Sequence, residues 1–227
     1  MSVAVIPFRP VDPKTRLSNL LSRREREDFA GAMLADVTAA VRGAGLEPLI
    51  LSTHPFEWPD TLVRVADGGL SNAINGLLPE LEGPVVVIMA DLPLVTPDTV
   101  RRLVGSVAEC AIAPGRGGGT NALLIRDPAH FRVDYYQCSF QKHLSAAKAS
   151  GLSVEVIDSF RLYLDLDEEE DLVDLLIHGE GRARDCLCGL GFSLAVTRGR
   201  VGIVRRRLPG ARAAAQEPPA KLAERGE

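Results

Sequence analysis

Apolar residues recur along this chain in two alternating rhythms, short unbroken runs and stripes at helical spacing. The runs at 3–6, 49–51, 62–65, 84–90, 111–113 and 122–125 read as strands. Between the first two, Phe29, Met33, Val37 and Val41 repeat at helical spacing over residues 24–42, and Gly43 and Gly45 end the stretch. Leu70, Ile74, Leu77, Leu78 and Leu81 predict a second helix. Thr96, with Pro97 in the first helical position, predicts the start of a third. A helix over 139–150, strands at 154–157 and 161–166, and a helix opening in the acidic run 168–171 complete the pattern.

The run at 84–90 is apolar at every position, as a strand covered on both faces must be. Alternating strands and helices predict an α/β domain with a largely parallel sheet. From residue 206 onward Ala, Arg, Pro and Glu replace large apolar residues. The expected organisation is therefore one domain over 1–207 and a flexible tail over 208–227.

With 227 residues, 46% of them hydrophobic and 25% charged, the chain is long enough for one substantial core. A formal net charge of −4 argues against a broad attraction to nucleic acid, so any anion binding falls to local basic clusters. No apolar run approaches the roughly 20 residues of a membrane helix, and no secretory signal is expected at the start. Four cysteines, two of them spaced as Cys186-Leu-Cys188, match no zinc or thioredoxin spacing. Free thiols in a reducing cytoplasm are the expectation.

The loop PFRPVDPKTRLS, residues 7–18, gathers Arg9, Lys14 and Arg16 among three prolines directly after the first strand. Proline restricts the backbone, so such a loop holds long cationic side chains at reduced entropic cost. Cations at the carboxyl end of a sheet strand suit phosphate binding, though a rigid solvated connection would look the same.

Asp91 leaves the central strand at the rim where open α/β sheets bind ligands. It reads either as a ligand to a hard cation or as a turn cap. In Arg161-Leu-Tyr-Leu-Asp-Leu-Asp167 the leucines alternate with polar residues, which as a strand would place Asp165 and Asp167 on one face. Asp167 with Glu170 also resembles a capping box. The stretch 115–121 offers bare amides as an anion cradle, or simply a hairpin. Ser139 stands at a helix start, as an anion site or an ordinary cap; His143, one turn on, faces a ligand or the helix surface. Asn72 and Asn75 are candidates for reading a base edge.

IPFRPVDPKTRLS, MADLPL, GGTNAL, SFQKH and LDLDEEEDL, in that order over roughly residues 2–192, resemble the 2-phospho-L-lactate guanylyltransferase family of coenzyme F420 biosynthesis. The resemblance implies a single-domain nucleotidyltransferase fold, similar to glycosyltransferase-A domains, with a mixed, mostly parallel sheet flanked by helices. It implies transfer of GMP from GTP to a small phosphorylated hydroxy acid or enol acid, with Mg2+, in a cytoplasmic homodimer. Arg9, Lys14 and Arg16 would bind the nucleotide, Lys14 and Asp91 would be catalytic, and Asp91, Asp165 and Asp167 would hold the metal. Thr120, Tyr136 and Ser139 would meet the acceptor, with Tyr136 standing where the family usually has glycine. A sugar-phosphate nucleotidyltransferase, a glycosyltransferase or a non-catalytic nucleotide-binding module are the rival expectations.

Overall fold

The computed structural model describes residues 2–197 and 199–206. The opening apolar run forms β1 (Val3–Phe8), and α1 (Arg23–Gly43) follows the basic loop. A capping box starts α1: Ser22 Oγ accepts from the Glu25 amide while the Glu25 carboxylate accepts from the Ser22 amide. Next come β2 (Glu47–Ser52), β3 (Leu62–Val65), α2 (Leu70–Leu77) and β4 (Val85–Ile88). α3 (Pro97–Val104) begins as expected, with the Thr96 hydroxyl accepting from the Thr99 amide. β5 (Cys110–Pro114) and β6 (Thr120–Ile125) precede α4 (Ser139–Ala149), β7 (Val154–Val156) and α5 (Phe160–Tyr163). The described chain closes with α6 (Asp171–His178), α7 (Arg182–Gly189) and the hairpin β8 (Phe192–Thr197) and β9 (Arg200–Arg205).

Seven strands form one sheet in the order β3-β2-β1-β4-β6-β5-β7. Only β6 runs antiparallel to its neighbours in that sheet, so the fold is α/β with a mixed, mostly parallel sheet. Strand alternation explains why the central run is apolar throughout. Val86 and Ile88 pack on one face with Ile6, Val37 and Leu103, whereas Val85 and Val87 pack on the other with Val5, Ile74 and Leu123. A third cluster, including Phe29, Met33, Leu166, Leu172, Leu187 and Phe192, joins α1 to α6, α7 and the β8–β9 hairpin.

One expected strand is absent. Residues 160–163 form the single turn α5, and residues 164–167 run outside any ladder, tied to the exit of β4 by the Leu166 amide, which donates to the Asp91 carbonyl at 3.0 Å. Leu162, Leu164 and Leu166 are nevertheless all buried, at 0, 2 and 0% exposure. Their alternation reports burial correctly, but a helical turn followed by extended chain satisfies it as well as a strand does. All four cysteines are free thiols. Among the described residues no helix is long and apolar enough to cross a membrane. The boundary expected at residue 207 and the tail expected at 208–227 lie outside the described residues.

Candidate active site

The basic loop after β1 is pinned from below by an arginine of α1. Arg26 is 7% exposed. Its Nε donates to the Pro13 carbonyl at 3.0 Å, one Nη donates to the Leu21 carbonyl at 3.2 Å, and the other meets the Asp12 carboxylate. Arg26 is not among the site residues expected from the sequence; its place one turn before Phe29 and Ala30, on the apolar stripe, is the signal for its burial. Asp12 and Lys14 take left-handed backbone, with φ of 47° and 49°, which folds the loop back toward the sheet.

That turn brings Lys14 to the exit of β4. Its Nζ donates to Asp91 Oδ2 at 2.6 Å and to Asp167 Oδ1 at 2.7 Å. Burial by itself would lower the pKa of this ammonium, but the two carboxylates outweigh it and hold the pKa above its ordinary value. Burial likewise works to raise Asp167, and Lys14 and Arg16 together overcome it, keeping that carboxyl below its usual range. Arg16 is farther off, its Nη1 at 3.5 Å from Asp167 and 3.6 Å from Glu168. Arg9 is exposed, and its Nε donates to the Val11 carbonyl at 3.1 Å.

Asp165 is held by β6. Asn121 Nδ2 donates to the carbonyls of Leu162 and Tyr163 at 2.9 and 3.2 Å and to Asp165 Oδ1 at 3.1 Å. Burial raises the Asp165 pKa, and the neighbouring charges of Asp91 and Asp167 add to it, against the pull of the Asn121 bond. Asp167 does not cap a helix. Instead the buried Asp171 accepts from the amides of Asp167 and Glu168 at 2.9 and 2.8 Å, fixing the turn, and pairs with Arg116 at 2.5 Å. In the sequence Asn121 reads only as the end of the glycine-rich stretch and Asp171 only as part of an acidic helix start, because their partners come from distant segments.

Asp91 Oδ1 is buried and has no hydrogen-bond partner among the described residues. An orphaned carboxylate oxygen beside a second, anion-disfavouring carboxyl is chemistry that a cation would satisfy, and the all-oxygen donor set suits a hard divalent ion. Among the described residues no group of three or more acidic, histidine or cysteine side chains already stands in metal-holding geometry, and Lys14 bridges Asp91 and Asp167. The expected three-aspartate cluster is therefore gathered on one rim but not closed around a common centre.

Two cavities meet at this rim. The larger, about 410 Å³, runs along Phe8, Arg9, Lys14, Ser52 and Ala66. The smaller, about 290 Å³, is walled by Gly119, Thr120, Cys138, Ser139 and Asp165. Asp91, Asp167, Met89 and Tyr136 border both.

Thr120 and Ser139 are each 2% exposed, their hydroxyl oxygens 3.4 Å apart. Ser139 is not the helix cap; Cys138 holds that position in left-handed backbone, after Tyr136 and Gln137 in the same region. His143 lies neither on the helix surface nor in a cavity wall. It is fully buried, edge-on to Tyr135 at 4.9 Å, and burial holds its pKa down to about 4. The glycine-rich stretch is a hairpin: the Gly115 and Gly118 amides donate to the Gly119 and Gly115 carbonyls, and the Gly118 carbonyl accepts from Phe140. The Gly115 and Gly118 amides are thus spent on the turn, while Gly117 and Gly119 wall the smaller cavity. Asn75 is likewise committed, bonded twice to the Val133 backbone at 2.8 Å, and Asn72 donates to the Gly68 carbonyl at 2.9 Å.

Residues 2–207 match the family described as "Guanylyl transferase CofC like". The chain is similar to the 2-phospho-L-lactate guanylyltransferase of Methanosphaerula palustris, with 52% identity over 203 residues, covering 89% of this chain and 97% of the relative. It is 52% identical over 202 residues to the enzyme of the same name from Methanoregula boonei, covering 89% and 94% of the two chains. In fold it is similar to a solved Methanothermobacter nucleotidyl transferase, with a TM-score of 0.59 at 15% identity over 78% of this chain and 97% of the other.

Proposed function

Because the chain belongs to the Guanylyl transferase CofC-like family, we propose that it transfers GMP from GTP to 2-phospho-L-lactate, or to a related phospho-acid such as phosphoenolpyruvate, in coenzyme F420 biosynthesis. The chain is a nucleotidyltransferase. The observation that carries the finer reading is the meeting of two cavities at Asp91 and Asp167, with Lys14 between the two carboxylates.

In this reading the triphosphate lies in the larger cavity along Arg9 and Lys14, with Arg16 beside Asp167 at its edge. The phospho-acid lies in the smaller one, its phosphate on Thr120, Ser139 and the backbone at Tyr136. An acceptor phosphate oxygen attacks the α-phosphorus of GTP. The new P–O bond forms as the bond to the β-phosphate bridging oxygen breaks, and pyrophosphate leaves with that electron pair.

The nucleophile is already an anion, so no general base is required, which agrees with a buried, neutral His143. The chain's task is to hold two anions in line and offset their repulsion, and Lys14 and Arg16 contribute the positive charge. Asp91, Asp165 and Asp167 would hold a divalent cation, Mg2+ in this reading, whose chemistry when bound is charge neutralisation of the phosphates. The proposed form is a cytoplasmic homodimer, checked by light scattering of the full chain.

The test is a pyrophosphate-release screen of the four nucleoside triphosphates against 2-phospho-L-lactate, phosphoenolpyruvate and 3-phosphoglycerate, with hexose 1-phosphates as controls. Release with GTP and a phospho-acid is expected. Turnover only with hexose phosphates would move the chain to the sugar nucleotidyltransferases. GTP binding without turnover on any acceptor would make it a binding module.

A further inference from the structure

His143 lies one turn into α4 and is completely buried. The backbone amide of Asp134 donates to its Nε2 at 2.9 Å. An amide N–H can only donate, so Nε2 must present a lone pair and the neutral ring carries its proton on Nδ1. Nδ1 stands 2.9 Å from Thr120 Oγ1, so it is the donor in that bond. The hydrogen bonds therefore run one way, from amide to imidazole to threonine hydroxyl.

Thr120 Oγ1 accepts from His143, and its remaining near neighbour among the described residues is Ser139 Oγ at 3.4 Å. Whichever of these two hydroxyls donates to the other, the pair keeps one proton without an acceptor among the described residues. Both residues wall the smaller cavity. A phosphate has only acceptor oxygens toward such a pair, and a hydrogen bond to an anion is stronger than one between neutral groups.

We propose that His143 is a positioning residue for the acceptor, holding the Thr120–Ser139 pair as hydrogen-bond donors to the phosphate of the phospho-acid. This rests on the reading that the smaller cavity takes the phospho-acid. Without the Nδ1 proton, Thr120 is free to turn its own hydrogen toward the protein, and the cavity loses an oriented donor.

The experiment is steady-state pyrophosphate release with GTP and 2-phospho-L-lactate for wild type, Thr120→Val, His143→Leu, His143→Asn, His143→Gln and the Thr120→Val/His143→Leu double variant. Loss of one oriented donor to an anion predicts a rise of about tenfold in the phospho-acid KM for each of the first two variants, with the KM for GTP unchanged. The double variant should be no worse than Thr120→Val alone, because His143 acts through Thr120. His143→Asn keeps an N–H near the Nδ1 position and should restore the KM to within about threefold, whereas His143→Gln, which reaches the Nε2 position, should not. Should His143→Leu fail to fold, the Asn and Gln variants carry the comparison.

An elevated KM in Thr120→Val alongside an unchanged KM in His143→Leu or His143→Gln overturns the positioning role and leaves the acceptor site standing. Fully additive effects in the double variant do the same. An unchanged KM in Thr120→Val overturns the acceptor-site reading itself.

Discussion

Lys14 Nζ and Asp167 Oδ1 lie 2.7 Å apart although 153 positions separate them in the chain. The same ammonium reaches Asp91, so one cation joins the basic loop to both acidic segments of the rim. The basic loop and the acidic rim are thus one electrostatic unit, and changes to either should be felt at the other.

Lys14→Met leaves Asp91 and Asp167 facing each other without the ammonium. Its kcat/KM for GTP should fall about a hundredfold or more, the usual scale for losing one preorganised charge. Mn2+ affinity, followed by electron paramagnetic resonance, should hold or rise, because the ammonium no longer competes for the carboxylates. A fall in Mn2+ affinity would mean that Lys14 supports the cation site rather than competing with it.

Asp91→Asn should separate the same two quantities differently. It removes the charge from the carboxylate whose Oδ1 has no partner among the described residues, so turnover should drop about a hundredfold or more and Mn2+ binding should weaken with it. Near-normal turnover at saturating metal would remove Asp91 from the site.

Tyr136 is 65% exposed and holds φ at 76°, a region costly for a residue with a β-carbon. Tyr136→Gly relieves that strain while raising the entropy of the unfolded chain, so stability should change by less than about 1 kcal/mol. Tyr136 borders both cavities. Its removal should raise the ratio of kcat/KM for 3-phosphoglycerate over 2-phospho-L-lactate; an unaltered ratio would take Tyr136 out of acceptor choice.

At Gly115 a β-carbon would overlap the Asn121 side chain, coming to 2.8 Å from its Cγ. Asn121 is the residue that holds Asp165. Gly115→Ala should therefore destabilise the fold by about 1–3 kcal/mol, in the range of overpacked sites, and weaken Mn2+ binding as Asp165 shifts. Chemical denaturation and metal titration on the same preparation would read both; a stable variant with unchanged metal affinity would contradict the coupling.

His143 also predicts an acid limit to stability. Burial lowers its pKa from 6.5 to about 4. Between those values the unfolded chain binds more protons than the folded one, so this contribution is full above pH 6.5 and is lost as pH falls toward 4. The loss amounts to about 3 kcal/mol. Urea midpoints for wild type and His143→Asn should converge from pH 7 to pH 4; parallel curves would show that the imidazole does not titrate with folding.

Much of this was written in local pattern. The all-apolar run at 84–90, which contains β4, the stripe of Phe29, Met33 and Val37, and Thr96 before Pro97 each obey a periodicity or capping rule that depends on neighbours only. Asp91 at a strand exit and the basic loop after β1 were legible for the same reason, because a buried strand must end at a rim.

Tertiary structure decided the rest. Alternating Leu162, Leu164 and Leu166 announced burial, but only their docking against the exit of β4 chose a helical turn and extended chain over a strand. The roles of Arg26, Asn121, Asp171 and His143 depend on carbonyls, amides and carboxyls whose approach no local spacing encodes. Periodicity reports which side of an element leaves water, since that is a property of the element itself. Which charge meets which, and which hydroxyl keeps a free proton, are set by contacts that exist only once the chain has closed on itself.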